Sequence, residues 1–440
     1  MRKTLFLAVL LLSVFAAFSQ VEIRHFKVQY DSCRVNFNKA KYDLSANWLE
    51  DNLPSAKLKQ KDYIYWDMNN LLARCYVKQG KTEKAQGHFL ETINYYDKSL
   101  VKDMKYHQNH FSALINLAYL YFNLKDYDKA EQYYFRAFTL KKEHVGEKNP
   151  DYLTLMNNVA VIYNIEGKNS KADSMYTKLA NLKAAVYSEN SAEYINTIYN
   201  KANLYKNTGR FVDAEPLYVK VVNFRKVNPG ERSPDYMYAY KHLGELYAAQ
   251  RRYLDAEPVF LKLVDLNRLE YGEKHKEYTE ALNNLGSLYI SMEKYADAEK
   301  IYLQVADIRK NTLGKNHIDH AAALSNLAFL YRKMSKYIQS EKYYKRALDI
   351  YDDNVGKKHN SYVVTLVNLA SLYREMGRFL DAETRYHKAS DIYVETIGKN
   401  NIEYAGLLNN MALFYTELGK YDQAENLYKQ SLDITQVIQG

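Results

Sequence analysis

One period governs this chain. Alanine stands at positions 130, 172, 214, 256, 298, 382 and 424, and Ser340 keeps the same phase, so eight copies follow one another at steps of 42 residues without an insertion. An acid comes directly after each, at Glu131, Asp173, Glu215, Glu257, Glu299, Glu341, Glu383 and Glu425. Nine residues upstream is a tyrosine in every copy (Tyr121, Tyr163, Tyr205, Tyr247, Tyr289, Tyr331, Tyr373, Tyr415). Four residues downstream comes a second aromatic (Tyr134, Tyr176, Tyr218, Phe260, Tyr302, Tyr344, Tyr386, Tyr428). Such a chain folds as an array of like units, each burying its apolar face against its neighbours. The 44 tyrosines of the chain are explained by this repetition.

Within a unit the apolar residues keep helical spacing, as in Leu369, Ala370, Leu372 and Tyr373, then Phe379, Ala382, Tyr386, Ala389 and Ile392. The stretch from Arg374 to Arg378 breaks the period, and its Gly377 suits the positive φ of a helix end. Each unit is therefore two antiparallel helices and a short turn. A longer loop leads to the next pair, with Gly146, Gly230, Gly272, Gly314, Gly356 and Gly398 at one phase and Ser188 in their place in one copy. Acids at Asp151, Glu193, Asp235, Glu277, Asp319 and Glu403 follow, where they meet the positive end of the next helix dipole. Pro216 and Pro258 are expected in the first turn of the second helix, where the amides have no intrahelical acceptor. With 16 glycines and 6 prolines in 440 residues, the composition suits a helical chain, and 47% hydrophobic residues exclude wholesale disorder.

The order Asn-Leu-Ala-x-x-Tyr, turn glycine, Tyr/Phe-x-x-Ala-Glu-x-x-Tyr resembles the tetratricopeptide repeat. The 42-residue period with Gly-x-x-His loops, Gly272 to His275, Gly314 to His317 and Gly356 to His359, is similar to the kinesin light chain variety. The resemblance covers residues 63–440 and implies an all-α, right-handed superhelical solenoid of antiparallel helix pairs. Copies are expected at 108–149, 150–191, 192–233, 234–275, 276–317, 318–359, 360–401 and 402–440. A degenerate copy at 63–107 carries Ala73, Tyr76, Gly80 and Ala85, offset by 45 residues, and residues 20–62 are expected to form an amino-terminal helical cap or a degenerate half-repeat, in which Phe37, Ala40 and Leu44 echo the second helix. Gly440 falls 42 residues after Gly398, so the last helix face is expected to be uncapped and to be met by end-to-end self-association or a carboxyl-terminal partner.

The first residues have a different character. Arg2 and Lys3 precede an apolar run from Leu5 to Phe18, and Ala17 and Ser19 occupy the minus-three and minus-one positions of a small-residue cleavage site. This is the pattern of a secretory signal peptide over residues 1–19, with a mature chain from Gln20 that is periplasmic or extracellular. The run is too short to span a bilayer and no cysteine directly follows it, so neither a transmembrane segment nor a lipoprotein anchor is expected. Export permits one disulfide between Cys33 and Cys75, although Cys75 lies in a helical apolar pattern that suits a buried thiol.

Positions that change between copies on a constant frame are free to read a ligand. Before the recurrent asparagine these run Ile115, Asn157, Tyr199, Lys241, Asn283, Ser325, Val367 and Asn409, and four residues later Tyr119, Val161, Asn203, Glu245, Ser287, Phe329, Ser371 and Leu413. Both point away from the core stripe, toward the groove that the resemblance makes concave, with Lys206, Arg332 and Arg374 on the same side. The asparagine itself is Asn116, Asn158, Asn200, Asn284, Asn326, Asn368 and Asn410, with His242 in the remaining copy. It serves either a bound peptide backbone or a tie between adjacent helices. The mixture of amides, aromatics and cations suits an extended or helical peptide.

Spacings for metal, acyl-transfer or dinucleotide sites do not occur, so no catalytic residue, metal or cofactor is expected. Gly80-Lys81-Thr82 lacks the glycine of a phosphate loop, since Cys75 stands there. His275, His317 and His359 are one repeat apart, roughly 10 Å at helix packing distance, too far to share an ion. The net charge of +9 is spread, and Glu245, Glu375 and Glu417 lie in the groove, so nucleic acid is not expected. Two functions fit: a non-enzymatic exported scaffold that binds a protein or peptide, or the sensor region of a longer signalling or CHAT-type protease protein, as the resemblance implies.

Overall fold

Each repeat folds as two helices because its two amphipathic stripes face one another across a three-residue break. The computed structural model describes residues 27–58, 62–98 and 104–439. The expected signal peptide and its cleavage point lie outside the described residues. The chain divides into two compact units, Met1–Ile162 and Tyr163–Gly440.

In the first unit, α1 (27–38) pairs with α2 (Tyr42–Leu58), α3 (Asp62–Lys78) with α4 (Thr82–Lys98), and α5 (Met104–Asn123) with α6 (Tyr127–Val145); α7 (Pro150–Ile165) crosses the division. The second unit continues with α8 (Asn169–Tyr187), α9 (Ala192–Asn207), α10 (Phe211–Arg225), α11 (Pro234–Ala249), α12 (Tyr253–Tyr271), α13 (Lys276–Ser291) and α14 (Tyr295–Leu313). It ends with α15 (Ile318–Lys333), α16 (Tyr337–Val355), α17 (Asn360–Glu375), α18 (Phe379–Thr396), α19 (Ile402–Glu417) and α20 (Tyr421–Gln439). Within the units successive helices pack on one another from α2 to α6 and from α8 to α20, and no strand occurs among the described residues. The fold is all-α, an array of antiparallel helix pairs.

The recurrent small residue and the aromatic after it form the seam of each pair. Ala172, Ala214, Ala256, Ala298 and Ala382 are fully buried, as are Tyr218 and Tyr344. Ser340, in the alanine position, turns its hydroxyl onto Ala328 O at 2.7 Å and so satisfies the one polar atom it brings.

The acid after the alanine couples one repeat to the next. The tyrosine of the following first helix donates its hydroxyl to it: Tyr205 to Asp173 at 2.8 Å, Tyr331 to Glu299 at 2.8 Å, Tyr373 to Glu341 at 2.8 Å and Tyr415 to Glu383 at 2.9 Å. A cation just ahead of the following second helix joins them, with Arg210 on Asp173 at 2.8 Å, Arg252 on Glu215 at 2.6 Å, Lys294 on Glu257 at 2.9 Å and Arg378 on Glu341 at 3.1 Å. The same cations cover the tyrosine rings, Arg210 over Tyr205 at 3.9 Å and Arg378 over Tyr373 at 4.1 Å. In the degenerate copy Gln86 takes the acid's place and donates to Tyr121 instead, at 2.7 Å.

Helix ends follow the loop chemistry. His275, His317 and His359 are N-caps of α13, α15 and α17, each accepting on Nδ1 from the amide two residues on. Ser191, Ser233 and Asn401 cap α9, α11 and α19. Loop glycines take positive φ, as at Gly272 with +85°, and Ser188 is held at φ 85°, ψ 160° in the same place.

Two expectations are corrected. Pro216 and Pro258 lie in the second turn, because α10 starts at Phe211 and α12 at Tyr253; each forgoes a main-chain bond inside its helix. In the amino-terminal pair, Phe37 ends α1, Ala40 forms the turn at φ 58°, and Leu44 is 58% exposed. The second-helix phase belongs to Ser45, which is buried and donates to Cys33 O at 3.0 Å. Cys33 and Cys75 are both buried free thiols, and burial, then the neighbouring Cys33, pushes Cys75 up to about 12.

Two outcomes follow from these ends and couplings. Ser188→Gly relieves a conformation essentially reserved for glycine and raises stability by about 1 kcal/mol, measured by urea unfolding; an unchanged or lower midpoint contradicts the strain. Burial raises the Glu341 pKa, but hydrogen bonds from Lys345, Tyr373 and Arg378 outweigh it and hold the carboxyl at about 2 against an ordinary 4.5. Its contribution is complete above pH 4.5 and is lost as pH falls toward about 2. The stability gap between wild type and Glu341→Gln therefore closes over that window, and a gap that stays constant contradicts the coupling.

Candidate functional site

Helical geometry gives every first helix one face made of positions i, i+3, i+4 and i+7 that lies beside the core stripe. In the second unit successive first helices touch directly, α9 with α11, α15 with α17 and α17 with α19, so this face is the close side of the stack. Side chains bridge it from repeat to repeat.

At α9 and α11 they make a dense polar cluster. His242 Nδ1 lies 2.9 Å from Asn203 Oδ1 and 3.0 Å from the Tyr199 hydroxyl, and the rings of Tyr199 and His242 stack at 5.6 Å. Tyr218 donates to Asn203 at 2.5 Å, Arg225 covers Tyr199 at 4.4 Å, and Lys206 meets Glu245 at 2.7 Å. Burial, then the charge of Lys206, depresses His242 to about 4. Farther along, Arg374 donates to Glu417 at 2.8 Å, while Arg332 lies 3.8 Å from Glu375 and reaches Asn368 O at 3.4 Å.

The expected groove cations are therefore matched by carboxylates of the next repeat. Lys206, Arg332 and Arg374 have side chains only 18, 11 and 13% exposed. They brace neighbouring helices, and Lys241, 32% exposed, lies 3.9 Å from the same Glu245 that Lys206 engages. Asparagines take the bracing role in two copies, Asn116 on Asn70 and Asn326 on Asn283, both at 3.3 Å. Asn157 and Asn158 belong to the first unit and are half-buried; Asn200, Asn284, Asn368 and Asn410 are half-buried and Asn409 exposed.

Lys241 and Asn284 come together at a cavity of about 230 Å³ between α11, α12 and α13. Met237, Leu263 and Ala281 are its buried apolar lining; Tyr238, Tyr271, Glu277 and Glu280 complete it with Asn267, which is 7% exposed. The sequence reading missed Tyr238 and Glu280, which stand one turn ahead of the recurrent asparagine position on the same face, and it followed no variable position on the second helix. The signal available was the same copy-to-copy variation, at Asn196, Tyr238, Glu280, Ala322 and Val364.

A family model described as tetratricopeptide repeat matches residues 109–185, 194–269, 235–311, 277–353 and 361–436, and a second so described matches residues 70–140. The chain belongs to the tetratricopeptide repeat family. No curated protein matches it. Among solved structures it is similar to the apo form of RapI, at 13% identity and TM-score 0.50, over 92% of this chain and 96% of that one. A tetratricopeptide repeat protein from Parabacteroides merdae matches at 19% identity and TM-score 0.47, over 64% of this chain and 93% of that one. A putative kinesin light chain from Podosopora anserina matches at 17% identity and TM-score 0.43, over 47% and 98%. At these identities the likeness is one of fold. No described helix is long and apolar enough to cross a membrane.

The depressed His242 has a direct readout. Its imidazole stays neutral from pH 8 down to about 5, so a histidine NMR titration shows no proton uptake there. Because the folded state resists protonation, stability present above 6.5 is lost as pH falls through about 4. A titration centred on 6.5 contradicts the buried cluster.

Proposed function

We propose that this chain is an exported, non-enzymatic scaffold that binds a protein or peptide partner along the first-helix face of its repeats. The observation that carries this reading is the contrast between a frame that recurs with few changes and a face whose side chains vary from copy to copy. The seam alanines and the tyrosine–acid couplings recur, whereas Tyr238, Glu280, Ala322 and Val364 occupy one equivalent surface position. A partner reading such a face meets a different side chain at each step, which is the chemistry of an extended or helical peptide. Matched ion pairs at Lys206, Arg332 and Arg374 argue against a phosphate backbone, whose binding needs uncompensated cations.

Peptides selected by display against the purified chain are expected to lose at least about tenfold in affinity, roughly 1.4 kcal/mol, when Tyr238 and Asn284 are both changed to alanine. Leu254→Ala, at an 82% exposed position on α12, leaves them unaffected. Equal losses at both places, or none, contradict the assigned face. Export has its own test: mass spectrometry of the chain expressed in a host with a secretory pathway finds Gln20 as the first residue, and a chain retaining Met1 in the exported fraction contradicts it.

A further inference from the structure

One position on the second helix crosses to the next repeat. It runs Lys183, Arg225, Asn267, Arg309, Tyr351, Tyr393 and Thr435 in the second unit, at steps of 42; Thr435 lies on α20, after which no further helix is described, so the six earlier positions are the ones that face a following repeat. The three cations all do the same thing: Lys183 donates to Glu193 O at 3.1 Å, Arg225 to Asp235 O at 3.0 Å and Arg309 to Asp319 O at 3.1 Å, in each case the main-chain oxygen ten residues on. Arg225 also donates to Asn196 Oδ1 at 2.8 Å. Arg309 and Arg225 are 8 and 7% exposed, so the notch between repeats is filled by a buried guanidinium. Tyr393 fills its copy and donates to Asn360 at 3.1 Å.

Asn267 is the exception. Its side chain is too short to cross and its amide turns back onto Leu263 O at 2.8 Å. The cavity of about 230 Å³ lies in this copy, between the repeats whose neighbours on either side carry Arg225 and Arg309. The oxygen equivalent to those that Arg225 and Arg309 engage is that of Glu277, and Glu277 and Glu280 are among the residues lining the same opening. Glu277 Oε2 is buried without a hydrogen-bond partner. Lys241, also in the lining, is 3.9 Å from Glu245, and His275 and Lys276 sit beside the two glutamates, at 3.5 Å from Glu277 and 3.4 Å from Glu280. Tyr238 takes the position that Asn196 holds beside Arg225 and offers an aromatic wall.

We propose that this notch is a guanidinium socket, left vacant by Asn267 and filled by an arginine side chain of the bound peptide. The incoming group occupies the space that Arg225 and Arg309 occupy from within the chain. It donates to the Glu277 carbonyl and carboxylate, with Glu280 at the mouth, and its methylenes lie on Met237, Leu263 and Ala281. The proposal rests on the peptide-binding reading above and adds the side chain that anchors the peptide.

The test uses the full purified chain with Nα-acetyl-arginine amide as probe and Nα-acetyl-citrulline amide as its neutral isostere. Binding of the arginine probe and not of the citrulline probe, followed by NMR shifts of α11 and α13, is expected in wild type. Asn267→Arg supplies the guanidinium internally, so it raises Tm and abolishes probe binding. Glu280→Gln, at an exposed position, weakens the probe severalfold with Tm unchanged and decides the matter if Asn267→Arg does not fold. Equal binding of the two probes, or a folded Asn267→Arg variant that binds like wild type, overturns the socket. Free arginine binding more tightly than the best arginine-containing peptide overturns the peptide as its source. Display-selected peptides that bind the face without arginine and are not displaced by the probe overturn the socket while the scaffold reading stands. Probe binding that obeys the variants while no peptide is ever selected supports the socket and removes the scaffold reading.

Discussion

A helix pair in an array touches only its two neighbours, so the whole depends on what joins each pair to the next. Here that junction has a recurring polar centre: the acid after the seam alanine, the tyrosine hydroxyl of the following repeat, and a cation covering the tyrosine ring. Apolar burial holds helices together but does not set their register. A carboxylate that must meet a phenol and a cation from a defined place in the next repeat does, because a displacement of one residue leaves a half-buried charge without partners. Glu341 shows the degree of commitment, with donors from Lys345, Tyr373 and Arg378 and a pKa held near 2 despite its burial.

The first-helix face is built against that constant background. Its cations are used internally, Lys206 with Glu245 and Arg374 with Glu417, which keeps adjacent first helices in position and leaves recognition to the side chains between the braces. The notch at Asn267 belongs to the same logic. Where every neighbouring copy closes the step between repeats with its own long side chain, this one leaves the closing group to something else. Frame and face are thus distinct in the structure: the couplings join repeat to repeat, whereas Tyr238 and Glu280 stand exposed beside them.

Much of this architecture was legible in the residues because the repeat supplied its own internal comparison. The alanine seam, the paired helices, the loop glycines and the first-turn acids all follow from periodicity. What escaped was whatever depends on contacts between copies. The acid after the alanine was visible in all eight copies, yet its partner lies 32 residues on, at Tyr205 for Asp173 or Tyr373 for Glu341, a separation that no helical pattern announces. Lys206 and Arg374 were read as groove cations, but their pairing with glutamates 39 to 43 residues away was not readable from one helix. Pro216 was placed a turn too early: counted from Phe211, which opens α10, it is the sixth helical residue and lies past the four amides that have no intrahelical acceptor. Ser45 was passed over because a serine in a seam position carries no apolar signal, and only its bond to Cys33 O makes it fit.

The most direct measurement is a double-mutant cycle across one junction, with Tyr373→Phe, Glu341→Gln and the pair, read by native-state hydrogen exchange of α16 and α17. The account predicts a coupling energy of about 1 kcal/mol or more between the two sites, with protection lost together on both sides of the junction. Independent, additive effects would contradict it, and would leave apolar burial alone as what holds the repeats in register.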